Sequence, residues 1–292
     1  MFEGFQELTL TAGDQTISLV TAGSGPPLLL LHGFPQTRAA WAQTAPLLTE
    51  HFTLVIPDLP GYGRSTCPPP DPQNKGQSKR QMADIMVKIM GQLGHEAFHL
   101  AGHDRGGRVA YRLTLDHPER VKTLTLLDIA TTLDTWEAMD WQAAISAYHW
   151  PFLAQPAPLP ERMIGADPKA YLHHLLDKWK GRQVTLNVEA IADYEAAIAN
   201  PKTIEAMAED YRAGASIDVE IDRESRAQGA HIRCPLQILR GTQYSAAPYR
   251  PAWLNWHDAP TEIAFDCGHF IAEEEPEATA KALISHAKTS PS

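Results

Sequence analysis

The segment AGHDRGGR, residues 101–108, sets an aspartate between glycines at the close of an apolar run. Gly102, Asp104 and Gly106 have the outline of a nucleophile elbow, where glycines let the chain turn sharply from strand to helix and expose the central side chain. An aspartate there also fits a simple helix cap, so these five residues decide nothing alone. Three other features carry the reading. His32-Gly33 closes an earlier strand, where an oxyanion loop belongs. Asp128 ends the strand after the elbow helix, and Gly268-His269 follows the last strand. Asp104, Asp128 and His269 then stand in the order nucleophile, acid, base. The commoner home for the acid, a strand end beyond an insertion, reads Arg240-Gly241-Thr242-Gln243 with no carboxylate, which leaves Asp128 to orient His269.

The aspartate fixes the reaction type. A serine attacking a saturated carbon would form an ether, which a histidine-activated water cannot cleave. An aspartate forms an ester, whose carbonyl carbon such a water can attack. The expected chemistry is displacement at sp³ carbon, by a dehalogenase or an epoxide hydrolase. The backbone N–H groups of Phe34 and Arg105 are expected to stabilise the oxyanion of the second step.

Arg105 follows the nucleophile and Arg108 lies four residues after it, on the same helical side. Cations are disfavoured at a helix N-terminus, so two of them there imply compensating anions. Asp104 is one; a substrate carboxylate would be another. Two unit charges about 4 Å apart repel by roughly 4 kcal/mol at an effective dielectric of 20, so an anionic substrate needs such cations to approach Asp104. Planar guanidinium groups can hold a carboxylate bidentately and set the attack angle. Arg112 continues the spacing and reads as solvated or ion-paired.

The elements that must position these residues follow from the apolar patterning. QELTL and QTISLV alternate like a hairpin at a sheet edge, and PPLLLLHG is a continuous run of the kind a buried parallel strand shows. A helix is expected over 39–50, a strand over 52–65, and a helix over 78–94 ending at Gly94. Strand 97–104, helix 106–118 and strand 121–130 complete the first half. The rhythm breaks after Ala130: 131–228 holds tryptophans, proline-rich pieces and helical stretches but no clear strand. It resumes at IRCPLQILRG and TEIAFDCGHF and closes on the helical EEEPEATAKALISHA. The fold class is therefore α/β, a mostly parallel sheet flanked by helices. Residues 1–130 and 229–292 form the core, and 131–228 an inserted helical cap. Residues 67–76 read as a solvated loop.

Composition narrows the partners. The 292 residues carry a net charge of −10, which argues against nucleic acid or an anionic membrane surface. It also means that an anionic substrate is repelled globally and must be captured locally. Cys67, Cys234 and Cys267 show no metal spacing and read as reduced thiols. No run approaches the roughly 18 apolar residues of a membrane span, and the first ten residues lack the pattern of a signal peptide. A cytoplasmic protein is expected.

With these residues in view, the chain resembles the fluoroacetate and haloacetate dehalogenases of the α/β-hydrolase superfamily. LLLLHGFPQT, PDLPGYGRS, GHDRGGRVAYRL, LTLLDI, YHWPFLAQPAPLPE, DYRAGASID and CGHFIAEEEPE carry the likeness from about residue 28 to the closing helix. HGFP is shared with epoxide hydrolases; GHDRGGR with HW in the cap is far more specific. The resemblance implies attack by Asp104, carboxylate binding by Arg105 and Arg108, and support of His269 by Asp128. It also implies that His149, Trp150 and Tyr211 hold the departing halide, and that the protein is a homodimer. Imidazole, indole and phenol are donors that suit fluoride; on its own residue type, Tyr211 would read as packing. No metal or organic cofactor is expected, and the partners are a small anionic haloacid and water. Two departures stand out: Pro151 biases Trp150 towards an extended backbone and suits a helix start, and 239–256 diverges. The rivals are an epoxide hydrolase, which would need two cap tyrosines, and a silent ligand receptor on the same fold.

Overall fold

The computed structural model describes residues 1–290. One eight-stranded sheet runs in the order β1-β2-β4-β3-β5-β6-β7-β8. Its strands are β1 (Gln6–Ala12), β2 (Gln15–Ala22), β3 (Pro27–Leu31), β4 (Thr53–Pro57), β5 (Phe98–His103), β6 (Val121–Leu127), β7 (Leu236–Gly241) and β8 (Thr261–Phe265). The β1–β2 hairpin lies at one edge, and β2 meets β4 antiparallel. All other pairings are parallel. β3, wholly apolar, and β5, which also carries His99 and His103, are buried on both faces, as central parallel strands must be. β8 forms the other edge and is largely exposed; Arg240 of β7 ties it down through Glu262 at 2.7 Å.

Two helices follow the expected pattern. α1 (Lys79–Gln92) starts where the Ser78 hydroxyl accepts from the Gln81 N–H, and it buries Met82, Ile85, Met86 and Ile89 on one stripe. α2 (Asp104–Asp116) leaves the end of β5 and is buried along most of its length. The helix expected over 39–50 is instead two short 3₁₀ turns, 38–41 and 45–48. Pro46 lacks the N–H that a continuous helix needs there, and burial of Trp41 and Leu48 rewards tight turns. The strand expected over 52–65 ends at Pro57. Beyond it, the Asp58 carboxylate accepts from the Arg38 and Arg64 N–H groups and shapes the turn.

Between β6 and β7 the regular structure is all helical: α3 (Thr132–Glu137), α4 (Trp141–Ser146), α5 (His149–Leu153), α6 (Leu159–Ala166), α7 (Pro168–Trp179), α8 (Val188–Ile198), α9 (Pro201–Gly214) and α10 (Ile217–Ala227). Trp150 is helical rather than extended, which corrects the expectation from Pro151. The proline is the third residue of α5, where an amide N–H would have no intrahelical partner. After β7 come α11 (Arg250–Trp253), α12 (Ile271–Glu274) and the closing α13 (Pro276–Ala287). The three cysteines are free, and no helix among the described residues is long and apolar enough to cross a membrane.

Candidate active site

The elbow is built from close packing. Asp104 takes φ of 46°, a left-handed conformation rare for a residue with a side chain. A Cβ on Gly106 would lie 2.2 Å from the His32 carbonyl oxygen, so only glycine lets α2 begin this close to the end of β3. The turn brings the Asp104 carboxylate to the β3 loop, where the Phe34 N–H donates to Oδ1 at 2.8 Å. Arg105 follows in the first turn of α2, where backbone N–H groups have no intrahelical partner.

His269 lies between two carboxylates. Its Nδ1 is 2.7 Å from Asp128 Oδ2, and its Nε2 is 3.8 Å from Asp104 Oδ2. Asp128 sits at the end of β6 with φ of 57°, and its other oxygen accepts from the Gly241 N–H at 3.1 Å. Burial disfavours the charged imidazole, but the two carboxylates outweigh it and push its pKa up to about 9. Burial also works against an ionised Asp104, yet the neighbouring His269 holds that carboxyl far below its usual range. The Tyr244 ring lies 4.2 Å from the His269 ring and His103 4.5 Å. Behind them, His103 Nδ1 is 3.0 Å from Gln36 Oε1, and the Gln36 amide donates to Glu273, whose pKa burial raises to about 8.

The two arginines differ in a way the sequence did not distinguish. Arg105 is 0% exposed and already paired: Nε and Nη2 donate to the Asp210 carboxylate at 3.1 and 2.5 Å, and Nη2 also donates to the Asp210 carbonyl. Lys79 contacts the same carboxylate and lies 3.6 Å from Asp218, so two buried anions balance two buried cations. Burial alone would raise the Asp210 pKa; Arg105 and Lys79 instead bring it to about 2. Arg108 is 4% exposed, and among the described residues no carboxylate lies within 4 Å of its guanidinium. It donates only to the Ala130 carbonyl at 3.1 Å and, at 3.4 Å, to the Thr132 and Thr135 hydroxyls. Its guanidinium carbon stands 4.4 Å from the Trp150 ring centre, while that of Arg105 stands 4.2 Å from Tyr211. Burial and Arg105 depress the Arg108 pKa. Arg112 is ion-paired, with Asp116 and Asp222.

Across from Asp104, α5 and α9 contribute His149, Trp150 and Tyr211. The Tyr211 ring packs 5.7 Å from both others and 5.1 Å from Phe34. His149 Nδ1 and the Tyr211 hydroxyl are buried with no hydrogen-bond partner in the protein. Burial lowers the His149 pKa to about 3 and raises that of Tyr211, so both groups are neutral donors. Trp179, at the end of α7, closes the cage 4.6 Å from His149 and 5.7 Å from His269.

Sequence reasoning thus named the residues that converge here but missed Asp210, Lys79, Trp179, Tyr244 and the Gln36–Glu273 pair. Asp210 carried a signal: two arginines at one helix start call for a fixed anion, and Asp210 stands directly before Tyr211. Trp179 and Tyr244 carried none, because nothing in their spacing ties them to Asp104.

Residues 26–276 match the model of the alpha/beta hydrolase fold family. Over 287 residues the chain is 40% identical to a fluoroacetate dehalogenase from a Burkholderia species, covering 97% of this chain and 94% of that protein. A soluble epoxide hydrolase from Corynebacterium sp. (strain C12) is 30% identical, with 88% of each chain covered. The crystal structure of a protein from Nostoc sp. PCC 7120, provisionally described as an α/β hydrolase, superimposes with a TM-score of 0.95. It is 43% identical, with 98% of this chain and 99% of that one covered.

The flanking carboxylates make the His269 proton measurable. In histidine-labelled protein, the resonance lost in His269→Asn should titrate near pH 9, the ring being charged below that value and neutral above it. Asp104→Asn removes one of the two anions and should lower that pKa by about two units or more, given about 4 kcal/mol for a unit charge near 4 Å at an effective dielectric of 20. An unchanged pKa in Asp104→Asn would show that Asp128 alone holds the proton.

Proposed function

The chain belongs to the α/β-hydrolase family, in the branch of the fluoroacetate dehalogenases, and on that premise we propose that it hydrolyses short 2-haloacids, with fluoroacetate favoured. The observation that carries the reading is Arg108, a buried guanidinium one helical turn after the nucleophile, with no carboxylate within 4 Å of it among the described residues. A neutral epoxide gives that charge no counterpart; a haloacid does.

In this mechanism the substrate carboxylate rests on Arg108 and on Nη1 of Arg105, which has no partner in the protein. Asp104 Oδ2 attacks the halogen-bearing carbon, an ester bond forms, and the carbon–halogen pair leaves as halide towards His149, Trp150 and Tyr211. Ester formation removes the Asp104 charge, so the His269 pKa falls and its proton passes to solvent. The neutral ring then takes a proton from water as that water attacks the Asp104 carbonyl carbon. Charge develops on Oδ1, the oxygen already held by the Phe34 N–H, with the Arg105 N–H as the second donor. Collapse frees the 2-hydroxyacid and restores the carboxylate. Asp104 and water balance this chemistry without metal or organic cofactor. A cytoplasmic homodimer completes the proposal on family likeness.

Three outcomes test it. Arg108→Leu should abolish fluoride release from fluoroacetate while the protein stays folded, and fluoroacetamide should be a poor substrate of the parent. Equal turnover of acid and amide, or faster turnover of styrene oxide, would favour the epoxide hydrolase. In His269→Asn incubated with chloroacetate, intact-protein mass spectrometry should find a glycolyl ester on Asp104; halide release with an unmodified mass would exclude the covalent route.

The third concerns fluoride. Hydrogen bonds to a charged acceptor are worth roughly 1.5 to 3 kcal/mol, so if the Trp150 N–H bond strengthens as halide charge develops, its loss slows displacement about 10- to 150-fold. Trp150→Phe keeps most of the ring beside Arg108 and removes the N–H. Single-turnover halide release should fall much more with fluoroacetate than with chloroacetate. Equal fractional losses would leave Trp150 as a wall of the pocket.

A further inference from the structure

The loop carrying His269 is joined to the helical insertion by one carboxylate that the mechanism does not use. Glu274 Oε2 accepts from the Gly268 N–H at 2.6 Å and from the Gly181 N–H at 3.0 Å, and Oε1 accepts from the Phe270 N–H at 3.1 Å. Gly268 and Phe270 are the two neighbours of His269. Gly181 lies two residues past Trp179, the end of α7. The His269 N–H itself donates to the Trp179 carbonyl at 2.8 Å. Both backbones are pressed together: a Cβ on Gly268 would stand 2.2 Å from the Gly181 nitrogen, and one on Gly181 would stand 2.7 Å from Glu274 Oε2. Among the described residues no cation lies within 4 Å of this carboxylate, so its partners are backbone N–H groups rather than an ion pair.

This arrangement differs from an ordinary turn. A turn fixes the chain that contains it, whereas Glu274 fixes the N–H groups of both residues flanking His269 and a third N–H from a segment 93 residues away in sequence. The imidazole must keep 2.7 Å to Asp128 while aiming Nε2 at Asp104. Displacement by Asp104 does not require that aim; attack of water on the ester does. We propose that Glu274 is the positioning residue of the hydrolysis step, holding His269 in register with Asp104 and with the α7 end of the insertion. The proposal rests on the two-step reading above.

Glu274→Gln keeps the size and leaves one acceptor oxygen for three donors. Halide release in the first turnover with chloroacetate should stay within about 3-fold of the parent. Hydrolysis of the ester should slow by about 10- to 100-fold, the scale expected for a catalytic group displaced by a fraction of an ångström to 1 Å. The Asp104 ester should then accumulate in the intact mass of a protein that is wild type at His269. In Glu274→Gln with His269→Asn, the loss should be no greater than in His269→Asn alone, because Glu274 acts through the ring. If the glutamine variant does not fold, Glu274→Asp, which keeps the charge but falls one methylene short, takes its place. Equal slowing of both steps, a lower melting temperature with an unchanged ratio of the two rates, or additive losses in the double variant would overturn the proposal. Absence of any ester in His269→Asn would instead refute the covalent reading.

Discussion

The buried pairing of Arg105 with Asp210 is the interaction on which the site depends. A helix that begins Asp-Arg-Gly-Gly-Arg puts cations where the backbone dipoles least tolerate them. Buried charges are costly unless they are paired and hydrogen-bonded, and removing one partner of such a pair costs about 3–5 kcal/mol. Asp210 closes Arg105 from α9, while Lys79 joins from α1 and Asp218 completes the set. One network therefore locks the elbow helix, the sheet-flanking helix and the insertion into a single geometry. Tyr211, the next residue along α9, inherits its position from that lock.

A division of electrostatic labour follows. Charge is concentrated along α2 and at the strand ends, where His269 lies between Asp104 and Asp128, and Arg108 follows on α2. The opposite wall is kept neutral by burial: the His149 pKa falls to about 3 and Tyr211 keeps its proton. Neutral donors can stabilise a departing anion without competing for Asp104 beforehand. The wall also presents aromatic surface from Phe34, Trp150 and Trp179, and surroundings of low polarity strengthen the charge interactions within them.

Much of this was legible in the sequence because strand ends leave local marks. Asp104 and Asp128 each close an apolar run and His269 follows the last strand, so their places beside a parallel sheet could be read before any contact was known. The alternation of elements and its loss after Ala130 were equally visible. Residues that act across the fold were not. Asp210 meets Arg105 from 105 positions away, and Trp179 meets His269 from 90, with no periodicity to join them. In two of the places where local rules misled, a proline was involved. Pro46 split an expected helix into two tight turns, and Pro151 was absorbed into the first turn of α5, where its missing N–H costs nothing.

The seclusion of Arg108 bears on how an anion reaches it. The surface belongs to a molecule of net charge −10, while Arg108, with no carboxylate within 4 Å among the described residues, lies inside. Mobile ions shorten the range of the outer field to roughly 8–10 Å at physiological strength, but they penetrate a buried contact poorly. Encounter and retention are thereby governed by different media. For a carboxylate substrate of the kind proposed, added salt would relieve the long-range repulsion on approach and leave the contact with Arg108 nearly intact, so association would quicken while residence time hardly changed. That is the reverse of an enzyme that draws in its substrate by an outer field.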